Sequence, residues 1–215
     1  MKLINANRIL ILCAHHDDFE FMFGGSAVKL YAANPRVTMR IVVFASRYQN
    51  TGETDALTRR QQSESMRILG LDKADISCRS LDYRARFLPL NADDIRLTMS
   101  EEKEFFNPDL VITHSINDEN QDHVTLGVES RRVFKNVSLL HGGVVSSSRY
   151  FKPTIFCRLT YEQFQRKVDA LKSYSFESSK YYFNEEVLTS HSRAIGFFLE
   201  ENVLVEGFEV TNLYV

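Results

Sequence analysis

Short apolar runs alternate with longer segments of helical periodicity along this chain, and that alternation constrains the fold more than any other feature. "RILILCA" (8–14), "VTMRIVVFAS" (37–46), "LVITHS" (110–115) and "TIFCRL" (154–159) are brief, apolar and bounded by polar residues, so they read as buried strands, with a further short strand over 76–81. Between them lie helical patterns. Over 19–33, Phe19, Met22, Phe23, Ala27, Leu30 and Tyr31 recur at i, i+3, i+4 spacing. "LTRRQQSESMRILG" (57–70) ends in Gly70, the residue expected just past a helix C-terminus. Residues 93–106 close on "NPD", and 124–140, 161–174 and the tail over 187–200 also read as helices. "RYQNTGETDA" reads as a loop, and "HGGVVSSSRY" (141–150) as the most flexible one. Strands alternating with helices imply βαβ units and an open parallel sheet covered on both faces. The length, 215 residues, suits one large domain spanning 1–215.

Composition narrows the partners. A net charge of −2, with no long run of Lys or Arg, argues against nucleic acid and against an anionic membrane surface. The N-terminal apolar run is about six residues long and broken by polar ones, too short for a signal peptide, and no stretch approaches the ~20 apolar residues of a membrane helix. Cys13, Cys78 and Cys157 are odd in number, far apart and form no CxxC pair, which reads as reduced thiols in a cytoplasmic protein.

In open α/β sheets, ligands bind beyond the carboxyl ends of the strands, where the strand order reverses. Two of the strands run into histidine-bearing sequence there. "AHHDDFEFMFGG" (14–25) follows the first, and "NDENQDHV" (117–124) follows "LVITHS". Divalent transition metals take imidazole and carboxylate donors, and a catalytic site typically has three protein ligands and one open position. His15 and Asp18, three apart at a helix start, can point to one side, and the second cluster, with Asp122 beside His123, supplies what is missing.

These two stretches resemble the paired signatures of the PIG-L/LmbE-like zinc-dependent N-deacetylases, A-H-P-D-D-x-E-x-x-x-G-G and D-x-H-x-D-H. The likeness extends to "NTGE" (50–53), "RRQQSESMRILG", "NPDLVITHS" and "HSRAIGFFLEENVLVEGF". It implies zinc, or another divalent transition metal, held by His15, Asp18 and His123. It makes Asp17 the general base that activates a metal-bound water, and Asp122 a residue that orients or charge-tunes a neighbouring histidine. Glu20 would hold the first turn of the helix, or serve only as an acid favoured by the helix dipole. Gly24 and Gly25 would permit close helix packing. Arg59, Arg60 and Asp82 stand at positions similar to substrate contacts of the family, where an arginine and an aspartate would bind sugar hydroxyls or a phosphate.

The chain departs from the pattern twice. His16 replaces the usual proline and is read as a non-ligand. Asn120 stands where the family often has a histidine. An amide can donate to an oxyanion, but it cannot act as a general acid. That duty would then fall to Asp17 once protonated, with His114 and His16 as further candidates; His114 otherwise reads as a strand-end residue bonded to backbone.

The expectation is therefore a Rossmann-like three-layer α/β/α domain with a mostly parallel sheet. Its activity would be metal-dependent removal of an acetyl group from an N-acetylated sugar or related small amide. The rivals are hydrolysis of another amide or ester, and a metal- and sugar-binding homologue weakened by Asn120. The partner would be a small molecule, with room for a homo-oligomer.

Overall fold

A computed structural model describes residues 6–45, 52–174, 179–199 and 202–214. Among them, seven strands form one sheet in the order β3-β2-β1-β4-β5-β7-β6. The strands are β1 (Arg8–Cys13), β2 (Thr38–Val43), β3 (Asp75–Ser80), β4 (Leu110–His114), β5 (Ser138–Gly142), β6 (Ile155–Leu159) and β7 (Leu204–Asn212). The helices are α1 (Asp18–Ala33), α2 (Gly52–Leu69), α3 (Ala92–Phe106), α4 (Gln121–Val133), α5 (Tyr161–Leu171) and α6 (Glu185–Gly196). Strands β1 to β5 are mutually parallel, and β7 runs antiparallel to both β5 and β6.

The apolar run of β1 lacks polar alternation because both its faces are covered. Ile9, Ile11 and Cys13 pack under α1, α2 and α5, while Leu10, Leu12 and Ala14 pack under α3 and α4. The three-layer α/β/α architecture is thus the expected one. Strand β1 pairs with β2 on one side and β4 on the other, so the strand order reverses between β1 and β4. The helices that follow these two strands lie on opposite faces, α1 on one and α4 on the other. The crevice between their N-termini receives the segments after β1 and β4.

Several boundaries differ from the sequence expectation. Helix α2 begins at Gly52 rather than at 57, so part of the expected loop is helical; residues 46–51 of that loop, and with them half of "NTGE", lie outside the described residues. Gly70 does follow α2 with φ of 74°, and Leu71 N–H and Gly70 N–H bond back to Met66 O and Arg67 O, a double closure that the left-handed residue makes possible. The helix expected over 124–140 is two elements. It stops at Val133, Val137 N–H bonds Phe134 O across a tight turn, and residues 138–142 become β5. "SLLHG" is apolar enough to extend a helical pattern, but its backbone groups find partners on β4, a tertiary preference invisible in local periodicity. His141 and Gly142, expected in a loop, belong to that strand. β7 was not anticipated at all.

Helix α1 is tied to its neighbours through buried polar groups. Glu206 on β7 accepts the N–H of Gly25 at 2.9 Å and of Ser26 at 2.7 Å, and pairs with Lys167 of α5 at 2.7 Å, whose ammonium also donates to Phe21 O. A Cβ added at Gly25 would lie 2.4 Å from Leu159 Cδ1, whereas one at Gly24 would meet nothing closer than 3.7 Å. The close approach anticipated for the pair therefore belongs to Gly25. Glu20 points the other way. It is buried, with Oε1 accepting from Ser65 Oγ of α2 and, at 3.1 Å, from Tyr174 OH. Burial pushes its carboxyl up to about 8.

Two outcomes follow for stability. Gly25→Ala should lower the thermal midpoint by an overpacking penalty of about 1–3 kcal/mol, while Gly24→Ala should be neutral or stabilising through helix propensity; equal effects would refute the close-approach account. Glu20 titrates at 4.5 ordinarily and near 8 in the fold, so the stability it contributes is complete below about 4.5 and is lost as pH rises through about 8. Urea midpoints should fall over that window, and Glu20→Gln should flatten that share of the slope.

Candidate metal centre

Local structure sets the first half of the site. The chain leaves β1 at Cys13 and turns into α1 at Asp18, whose Oδ2 accepts the His15 N–H at 2.6 Å. Asp17 precedes the helix without using its side chain as a cap. The second half is set by α4. Asn120 is its N-cap, with Oδ1 accepting Asp122 N–H at 2.9 Å, and Asp122 and His123 occupy the first turn. The dipole of α4 favours the carboxylate there.

The crevice closes these halves on one another. Ligand atoms of His15, Asp18 and His123 lie within 4.8 Å of one another. His15 Nδ1 and His123 Nε2 face each other at 3.3 Å. Asp18 reaches both rings, Oδ2 at 3.5 Å from His15 Nδ1 and Oδ1 at 3.5 Å from His123 Nε2. Each ring turns its other nitrogen to a carboxylate: His15 Nε2 to Asp122 Oδ2 at 3.2 Å, and His123 Nδ1 to Asp118 Oδ2 at 3.2 Å. Those carboxylates claim the ring N–H groups, which leaves two lone pairs facing at 3.3 Å. Such a pair repels unless a proton or a cation stands between them. The donor set, two imidazoles and a carboxylate with each imidazole backed by a second carboxylate, fits a divalent transition metal.

Without a cation, protons supply that positive charge. Burial disfavours charge on His15, yet its bonds with Asp122 and Asp18 carry it up to about 10. Burial likewise opposes charge on His123, and Asp18 with Asp118 raises it to about 9. Asp18 is driven well below the usual carboxylate range: burial resists, but His114 and His123 prevail. Asp17 moves upward, through burial and the charge of Asp18, toward the range of a general base at neutral pH.

Other residues singled out from sequence fall as follows. Asp122 does back a histidine, but that histidine is His15 and not its sequence neighbour, and Asp122 is itself held by the N–H groups of Arg86 at 2.5 Å and Leu88 at 3.1 Å. Arg86 adopts a left-handed backbone, φ 72°, to make this contact, and its carbonyl accepts from Gln121 Nε2. His114 accepts the Ala14 N–H at 2.9 Å through Nε2 and stacks on His123, with centroids 4.0 Å apart; burial and the neighbouring His123 lower it to about 4. The same nitrogen lies 3.1 Å from Asp18 Oδ2, so the backbone bond is joined by a contact with the triad. His16 is not an exposed ring. It is buried, and neither ring nitrogen has a partner among the described residues. Arg59 and Arg60 are exposed on α2, Arg59 near enough that its charge disfavours a protonated His16. Asp82 is exposed beyond β3, its backbone bridged to Ala45. The sequence pattern assigns no role to Asp118, Ser147 or Ser148, although Asp118 lies within "NDENQDHV".

Comparison with known proteins matches this arrangement to a family. The model of the family "PIG-L: GlcNAc-PI de-N-acetylase" matches residues 10–134, a span that includes both halves of the site. The chain belongs to the PIG-L family. Similar solved structures include the N,N'-diacetylchitobiose deacetylase from Pyrococcus horikoshii, at 18% identity and TM-score 0.74 over 96% of this chain and 84% of that one. The 4-carboxy-2-hydroxymuconate hydratase GalB from Pseudomonas putida KT2440 aligns at 18% and 0.71 over 97% and 98%. A teicoplanin deacetylase, Orf2, in its zinc-inhibited form aligns at 13% and 0.69 over 95% and 99%. At these identities the likeness shows the fold. No curated protein matches the sequence.

If the triad is a metal site, loading it must displace protons from His15 and His123. Apparent affinity for Zn²⁺ or Co²⁺ should then rise with pH up to about 9, by roughly ten- to a hundredfold per unit. Calorimetry in two buffers of different ionisation enthalpy reads the proton release directly. His15→Ala and Asp18→Ala should each lose bound metal by elemental analysis, and retention in both would remove the triad from consideration.

Proposed function

We propose that this protein is a metal-dependent amide hydrolase that removes the acetyl group from an N-acetylated sugar or a related small molecule. The observation that carries the reading is the convergence of His15, Asp18 and His123, with Asp17 alongside, within a chain of the PIG-L family. His15, Asp18 and His123 would hold the cation, which when bound acidifies water and polarises a carbonyl. Asp17 accepts the proton of the attacking water. Asn120 spends Oδ1 on capping α4, so only its Nδ2 is available to donate to the developing oxyanion. Asp17, once protonated, is then the group that returns a proton to the leaving amine. Arg59, Arg60 and Asp82 belong to this reading as residues of the substrate approach. The single seven-stranded sheet supports treating 1–215 as one such domain. A cytoplasmic setting is supported by the three free cysteines, and no helix among the described residues is long and apolar enough to cross a membrane.

One observation favours a second reading. Asn120 has no titratable proton to give a leaving amine, so the domain would bind metal and sugar without turnover. The fold does not arbitrate, since GalB, a hydratase, shares it.

The decisive assay incubates the protein with a panel of N-acetylated sugars and measures primary amine release. Because a deacetylase of this fold is known in a zinc-inhibited form, Zn²⁺, Co²⁺ and Mn²⁺ are each supplied at limiting and excess concentration. Amine release should appear, and Asp17→Asn should reduce kcat by about 10²–10⁴-fold with metal content unchanged. Asn120→His should increase kcat, at a cost of about 1 kcal/mol in stability from the lost cap. Sugar binding without amine release under every metal would establish the non-catalytic reading instead.

A further inference from the structure

Of the two carboxylates behind the histidines, Asp122 was anticipated as a partner of a histidine. Asp118 was not, and its surroundings are the more tightly determined. Its side chain is fully buried and every bond it makes has a different origin. Oδ1 accepts the Asn120 N–H at 2.7 Å, which closes the turn leading into α4. Oδ2 accepts from Ser148 Oγ at 2.6 Å and lies 3.2 Å from His123 Nδ1. Ser148 is in turn fixed by the Val144 N–H, which donates to its Oγ at 2.7 Å. Two more contacts bind the same segments: Glu119 N–H donates to Ser147 O at 2.9 Å, and Ser147 Oγ sits 3.4 Å from His123 Nδ1. The segment after β5, which composition marks as the most mobile, is thus docked against the histidine.

The chemistry of this arrangement is directional. A carboxylate anchored by a backbone N–H and a serine hydroxyl has little freedom to rotate, so the ring presents its N–H to Asp118. That leaves Nε2 as the lone pair directed at His15 Nδ1 and Asp18. We propose that Asp118, braced by Ser148, is a positioning residue that fixes the tautomer and the orientation of His123 for cation binding. The proposal rests on reading the triad as a metal centre. It makes metal affinity depend on the segment 144–148, none of whose residues is in the triad.

The test measures dissociation constants for Zn²⁺ and Co²⁺ by chelator competition, together with histidine tautomers by two-bond ¹H–¹⁵N correlation on the Zn²⁺-loaded protein and the melting temperature of the metal-free protein. Asp118→Asn should weaken metal binding by about ten- to a hundredfold and redistribute the His123 tautomer while leaving His15 as it was. Asp118→Glu, which retains the charge, should recover part of that loss. Ser148→Ala removes one bond to Asp118 but leaves the carboxylate beside His123, and serves as the folding control. Its metal affinity should fall less than that of Asp118→Asn even at equal melting temperature. If the two variants lose affinity equally, or if Asp118→Asn binds as the wild type does, the proposal is overturned and the metal reading stands. A wild type that binds neither ion overturns both.

Discussion

The pairing of β1 with β4 is the constraint on which the site depends. It places Ile9 opposite Leu110 and Ile11 opposite Ile112, and so brings the segments that leave the two strands to one edge. His15 and His123, 108 residues apart in the chain, meet there at 3.3 Å. Neither half is informative alone: His15, Asp17 and Asp18 sit at the start of one helix, and Asp122 and His123 at the start of another on the opposite face. The burial that holds them is that of the strands themselves, since Ile9 through Cys13 and Val111 through Ile112 are fully inaccessible. Packing energy spent on the sheet therefore also holds two imidazole nitrogens face to face at 3.3 Å, a pair that repels when both present lone pairs.

Charge explains why the repulsion is tolerated. Asp17, Asp18, Asp118 and Asp122 surround two rings, and the excess of negative charge draws protons onto both in the absence of another cation. The outer carboxylates are held by groups that are not the histidines: Asp122 by two backbone N–H groups of the 86–88 segment, Asp118 by a backbone N–H and a serine. Left-handed Arg86 shows that backbone strain is accepted to secure one of these bonds. Both outer carboxylates are thus positioned independently of the rings they face.

The architecture was legible in the sequence wherever periodicity is local. Strand β1, helix α1 and helix α5 differ from expectation by a few residues, because their apolar spacing is produced by the same faces that they bury. β5 and β7 were missed for a common reason. "SLLHG" continues a helical pattern and "LVEGFEVTN" carries Glu206, Gly207 and Glu209 in its interior, and both are strands because neighbouring strands offer them hydrogen bonds. The triad was legible through motif spacing, since His15, Asp18 and His123 stand at strand ends where this class of sheet binds ligands. The partners behind the triad were not. That Asp122 serves His15 across the crevice, and that Ser147 and Ser148 reach back to His123 and Asp118, are facts of tertiary placement that sequence adjacency misdirects.

Asn120 shows where such reading stops being sufficient. By motif it stands in the place of an acid; by structure it is the cap of α4, its oxygen spoken for by Asp122 N–H. The two descriptions are compatible only if the amide's remaining donor does the electrostatic part of the task and the proton comes from elsewhere. In the proposed mechanism that source is Asp17, whose proton affinity burial and the neighbouring Asp18 both raise. A single carboxylate that takes a proton from water and returns it to nitrogen requires no second acid, but it does require that water and amine be reached from one position. The cap at Asn120 serves that requirement indirectly. By fixing the first turn of α4 it fixes His123, hence where a bound cation would hold the reacting carbonyl relative to Asp17. In the proposed mechanism, Asn120 in place of a histidine would leave the proton chemistry to Asp17 alone.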